Sequence, residues 1–195
     1  MQEQENSAPC LCFAPCRLPR IRARGFTLLE LLAVITIIAI LAGIVIGVGR
    51  RASEAGKTAR AKAELAVLAA ALEAYRRAYG DYPRTDDESV LIQSLIGKRG
   101  PTGTELTAAG KSLLETARFT FRNAADPFGD ATAALLDPWE RAYVYVYKVP
   151  ASGWSNSSFV LYSVGPDGLD TPALLTGGFP DVATAGNADN IHANR

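Results

Sequence analysis

The chain has 195 residues, with 20 basic and 20 acidic side chains and one histidine. That length supports one modest domain plus an appended segment, and the charge balance excludes nucleic acid or an acidic surface as a bulk electrostatic partner. All 3 cysteines, Cys10, Cys12 and Cys16, precede Gly25. Their C-x-C-x3-C spacing lacks the fourth ligand of a structural zinc site, and no apolar run precedes Cys10 as a lipid-modified cysteine requires. The opening residues read as a polar, arginine-bearing leader.

Phe26 to Val48 carries no charge except Glu30. As a helix it would be about 34 Å long, enough to cross a bilayer core of about 30 Å. Its Phe, Leu, Ile and Val side chains together favour insertion by roughly 5 to 9 kcal/mol. A central acid costs about 2.5 to 3.5 kcal/mol, and less near the end of the span, where Glu30 sits. Insertion therefore wins. The run is too long for a secretory signal and too purely apolar for a core helix in so small a chain. Arginines stand on both sides, Arg17 to Arg24 before and Arg50 and Arg51 after, so charge alone leaves the orientation open.

Gly25-Phe26-Thr27-Leu28-Leu29-Glu30, followed by this run, resembles the processing motif of type IV pilins and type II secretion pseudopilins. The resemblance implies that a prepilin peptidase cuts after Gly25 and methylates the new amine of Phe26. A residue without a side chain lets the peptidase approach the backbone closely. It also implies that Glu30 pairs with the N-terminal amine of a neighbouring subunit during assembly. The reading from the residues alone is that Glu30 snorkels to the headgroups.

Beyond Arg51 the pattern turns amphipathic: Leu65, Leu68, Leu72, Tyr75 and Tyr79 recur at three- and four-residue steps. Gly80 and Pro83 stop it. One helix of about 80 Å is expected from Phe26 to Tyr79, with glycines at 43, 47, 49 and 56 weakening its middle by about 1 kcal/mol each. Thr85 and Glu88 have capping-box spacing, which predicts a second helix over 86–96. Asp86, Asp87 and Glu88 read as dipole-complementing first-turn acids.

This layout, with Tyr82-Pro83 after the helix, resembles the G-type major pseudopilin. Arg84 to Ser89 stand where that family often has Thr-Thr-Glu-Gln-Gly-Leu. A short helical patch is expected near Lys111 to Glu115, and "RFTF" at 118–121 offers a strand. Tyr143, Tyr145 and Tyr147 alternate with Val144, Val146 and Lys148, a period-two strand, and Phe159 to Ser163 offers its partner across a connection over 151–158. Asp137-Pro138-Trp139 again resembles pseudopilins, with Glu140, Arg141 and Ala142 in place of Gly-Asn-Pro, so the tight turn there is in question.

The stretch from Ser163 to Ile191 resembles the C-terminal loop that binds calcium in G-type pseudopilins. Asp167, the Leu169 carbonyl, Asp170 and Asp189 are the implied ligands, since a hard cation takes oxygen donors. Asp-Gly turn chemistry alone also explains part of the pattern.

The expected architecture is α+β: a long N-terminal helix packed on a small antiparallel sheet, pilin-like. Its divisions are a cleaved leader over 1–25, a transmembrane half-helix over 26–48, an amphipathic helix over 49–80 and a globular domain over 81–195. The resemblance implies a structural subunit of a type II secretion pseudopilus, serving protein export across the outer membrane. Implied partners are the prepilin peptidase, further copies, minor pseudopilins and the inner-membrane assembly platform. The implied location is the inner membrane, single-pass, with the domain in the periplasm.

Two rivals remain. A type IV pilin for adhesion or DNA uptake shares the motif. Yet removing Arg17, Arg20, Arg22, Arg24, Glu3 and Glu5 from the 20 charges of each sign leaves 16 basic and 18 acidic, no basic excess for nucleic acid. A membrane-anchored extracytoplasmic enzyme lacks G-x-S-x-G, H-E-x-x-H and phosphate-cradling motifs, and its one histidine, His192, lies at the chain end.

Overall fold

A computed structural model describes residues 25–122, 126–148, 155–171, 174–175 and 178–193. The chain divides into two units, Met1–Val45 and Ile46–Arg195. The described part of the first unit is the opening of helix α1, Leu28–Tyr79. Its apolar side chains, from Phe26 through Val45, are all exposed. A face of aliphatic side chains with no protein to cover it is what a lipid-facing helix presents.

In the second unit α1 packs through the stripe read from its spacing. Leu65, Leu68, Leu72 and Tyr75 are buried, joined by Ala61 and Ala71. Burial of each large side chain is worth roughly 1.5–3 kcal/mol, so this stripe is what holds the domain to the helix. Gly80, at φ 84°, ends α1 with its N–H on the Arg76 carbonyl at 2.8 Å, a left-handed C-cap that glycine takes without steric cost.

Helix α2 spans Glu88–Leu95, shorter than the expected 86–96. Its cap is Asp87 rather than the expected Thr85, because Asp87 Oδ1 accepts the N–H groups of Ser89 and Val90. Thr85 instead accepts from the Asp87 N–H, closing the turn before the cap. A carboxylate beside the helix dipole outcompetes a neutral hydroxyl two residues earlier. These bonds, led by the Ser89 hydroxyl, hold Asp87 below the usual carboxylate range.

Strands β1 (Thr120–Arg122) and β2 (Ala134–Leu136) form an antiparallel pair. The central sheet has the order β3-β4-β7, all antiparallel, with β3 at Val144–Val146, β4 at Val160–Ser163 and β7 at Ile191–His192. Tyr145 stands opposite Leu161, and Ser163 opposite Ile191. A second two-stranded pair, β5 (Leu174–Leu175) and β6 (Phe179–Pro180), lies within the C-terminal loop. The expected helical patch at 111–115 is absent; a 3-10 turn forms at Thr116–Arg118. The first half of the expected 151–158 connection, 151–154, lies outside the described residues.

The alternating tyrosines of β3 show how the sheet is fixed to the helix. Tyr143 donates to Glu64 of α1 at 2.6 Å, Tyr145 to the Pro83 carbonyl at 2.8 Å, and Tyr147 to Asp81 at 2.8 Å. Period two puts all three phenols on one face, where each finds an acceptor on α1 or just past its end. Glu64 is buried yet paired, since Arg60 Nε donates to it at 2.7 Å. Burial, with the Glu64 carboxylate next, raises the Tyr143 phenol, so it stays a donor.

The turn at 137–141 keeps its tight form despite its sequence. The Glu140 N–H bonds the Asp137 carbonyl at 2.9 Å, and Glu140 takes φ 65°. A side chain at that φ costs about 1–2 kcal/mol. Asp137, 2% exposed, offsets the cost: Oδ1 accepts the N–H groups of Trp139 and Arg141, each at 2.9 Å, and Oδ2 accepts from Ser163 Oγ at 2.6 Å.

Candidate functional site

At the N-terminal motif, Thr27 and Glu30 close a capping box. The Glu30 N–H donates to Thr27 Oγ1 at 3.2 Å, while Glu30 Oε2 accepts the Thr27 N–H at 3.3 Å and its hydroxyl at 3.2 Å. Two donors that would be unsatisfied at a helix start in lipid are thus paired. Sequence reading gave Glu30 an assembly role and missed this second one, although T-x-x-E spacing was its signal. Gly25 is exposed, and among the described residues a Cβ built on it would meet nothing within 4 Å. Phe26 is also exposed.

At the C-terminal loop two of the expected residues meet, through a backbone N–H of one and the carboxylate of the other. The Asp167 N–H donates to Asp189 Oδ2 at 3.1 Å across 22 residues. Gly165 makes that approach possible, because its Cβ would lie 2.5 Å from the Asp189 carbonyl oxygen and 2.9 Å from Oδ2. Asp167 Oδ1 accepts the Leu169 N–H at 2.8 Å in an Asx turn. The Tyr162 hydroxyl donates to both oxygens of Asp170, at 3.2 and 3.0 Å, and Asn190 Nδ2 donates to its Oδ1 at 3.4 Å. Burial, then the Asp170 charge, raises the Tyr162 phenol and keeps it protonated.

Among the described residues no three His, Cys, Asp or Glu side chains converge as a metal cluster. Asp189 Oδ1 and Asn190 Oδ1 are nevertheless buried without a hydrogen-bond donor among them. Buried oxygens in that state are normally met by a donor, an ordered water or a cation. Asn190 was not among the expected ligands; only its neighbour Asp189 was.

Two family models match the chain. One, the prokaryotic N-terminal methylation motif, covers residues 20–46, and the other, type II secretion system protein G, covers residues 49–173. The chain belongs to the type II secretion system protein G family. The type II secretion system core protein G of Pseudomonas aeruginosa is 29% identical over 174 residues, which are 89% of this chain and 100% of that protein. No solved structure matches the chain.

Membership makes it a pseudopilin, a structural subunit of the type II secretion pseudopilus. The α+β fold agrees, with an exposed apolar helix leading into an antiparallel sheet. In this pseudopilin the residues whose role escaped sequence reading act over long range. Asp137 and Arg141 tie the turn before β3 to the start of the C-terminal loop.

Proposed function

We propose that this pseudopilin is cut after Gly25 by a prepilin peptidase and methylated at Phe26. It is then held single-pass in the inner membrane with residues 49–195 in the periplasm, and drawn by the assembly platform into a filament with its own copies and minor pseudopilins. The reading rests chiefly on one observation: a carboxylate, Glu30, sits at the start of an uncovered apolar helix within the matched methylation motif. Once Phe26 is the first residue, its charged amine gives a neighbour's Glu30 a counter-charge in lipid, where unpaired charge is costly. The protein's part is mechanical, and the covalent chemistry is done on it by the peptidase. Protease added to spheroplasts is expected to digest the domain and spare the apolar helix; a domain protected until the membrane is lysed would reverse the orientation.

We also propose that the C-terminal loop holds calcium between Asp167 and Asp189, with the Leu169 carbonyl and Asn190 as further oxygen donors. Asp170 is held beside them by the Tyr162 hydroxyl. An ion bound only by the folded state stabilises it by about 2.7 kcal/mol at a hundredfold excess over Kd. For a chain of this size that is a rise in Tm of about 5–10 °C. The mature chain in detergent is expected to show that rise with millimolar calcium over chelator. Asp167→Asn, which keeps an acceptor for the Leu169 N–H, is expected to abolish it while leaving the chelated Tm nearly unchanged. Equal melting with calcium and chelator in the unsubstituted chain would exclude the site.

A further inference from the structure

The C-terminal loop opens at a turn from Gly165 to Gly168, both glycines in the left-handed region at φ 72° and φ 69°. β4 has ended at Ser163, so the ladder no longer holds this backbone. Arg141 reaches it from the turn before β3. Its Nη1 donates to the Gly165 carbonyl at 2.6 Å. Its guanidinium lies against the Gly168 α-carbon, where a Cβ would fall on Cζ, Nη2 and Nε. Gly168 is therefore required twice, for its φ and for the room it leaves the guanidinium.

Arg141 is itself fixed. Its N–H and carbonyl both bond Asp137, at 2.9 and 2.7 Å. The buried Asp137 holds Ser163 Oγ, which accepts the Gly165 N–H at 3.2 Å. Gly165 is thus gripped at both backbone polar groups, by Ser163 on one side and Arg141 on the other. Arg141 forms no ion pair among the described residues. Its charge is spent on a backbone carbonyl, a charge-assisted bond of the stronger kind.

We infer that Arg141 is a built-in, metal-independent clasp that pins the Gly165–Gly168 turn to the sheet and so positions Asp167 opposite Asp189. The loop's first turn is held by a fixed cation of the chain itself, whether or not an ion binds at Asp167 and Asp189. Because Gly165 lies against the Asp189 carbonyl, the clasp also sets where the returning segment before β7 rests.

The test is amide hydrogen exchange on the mature full chain in detergent, with excess chelator and again with millimolar calcium. Arg141→Gln is expected to speed exchange over 165–170 roughly ten- to a hundredfold, the loss of one hydrogen bond to a charged group. Exchange in β3 and β4 stays unchanged. Gly168→Asn, a residue that tolerates left-handed φ but fills the guanidinium's place, is expected to do the same. The double variant is expected to be no worse than either single one, because both remove one contact. Unchanged exchange over 165–170 in both variants would overturn the clasp. So would equal acceleration throughout β3 and β4, or full rescue of Arg141→Gln by calcium.

Discussion

Glu30→Ala is expected to insert into the membrane normally and to fail in filament assembly. Removing one acid from the span only eases insertion, since that acid opposes the apolar side chains by a few kcal/mol at most. Assembly is different. A neighbour's Phe26 amine would then enter lipid without its counter-charge, and breaking one side of such a pair costs about 3–5 kcal/mol. That weakens each subunit contact by roughly two to nearly four orders of magnitude. The capping box complicates the alanine result, because Glu30 also satisfies the Thr27 N–H. Glu30→Gln separates the two roles, as glutamine keeps the box and loses the charge. Cross-linking between adjacent subunits reads the outcome. Loss of cross-links in both variants supports the charge pair, whereas normal filaments from Glu30→Gln would leave Glu30 as a cap alone.

Gly25→Val is expected to block maturation almost completely. Among the described residues a Cβ at Gly25 meets nothing within 4 Å, so a side chain begins there without a clash. Any loss of cleavage therefore reports on the peptidase cleft rather than on a misfolded substrate. The thiols give a direct readout, because Cys10, Cys12 and Cys16 all lie in the leader. A maleimide is expected to label the Gly25→Val protein and to leave the mature unsubstituted chain untouched. Equal labelling of both would mean that the leader is retained or that the cut lies elsewhere.

Much of the fold was legible because it follows period and punctuation. Leu65, Leu68, Leu72 and Tyr75 announced the buried face of α1, and Gly80 its end. The alternating tyrosines announced β3, and Phe159 to Ser163 its partner β4. Two- and three-residue strands such as β7 and β2 are too short to show a period, so pairing with distant partners decides them. The Asp87 cap was misplaced by two residues because Thr85 and Glu88 satisfied the same spacing rule.

At the candidate site, the Thr27–Glu30 box was within reach of sequence reading, being three residues apart. The resemblance names Asp167 and Asp189 as ligands of one ion; the structure joins them by a different contact, the Asp167 N–H on the Asp189 carboxylate. The engagement of Asp170 by Tyr162, and of Gly165 by Arg141, had no local signal. Both depend on which strands pair and on where their ends lie. Glu140 at φ 65° illustrates the same point: a glycine-type turn survives without glycine because the buried Asp137 holds it from three sides.

The most direct test of the pseudopilin reading is the intact mass of subunits recovered from sheared pseudopili of the native host. The expected mass is that of Phe26 to Arg195 plus one methyl group on the amine, with no cysteine in the chain. A subunit of Met1 to Arg195, or one beginning anywhere other than Phe26, would contradict it.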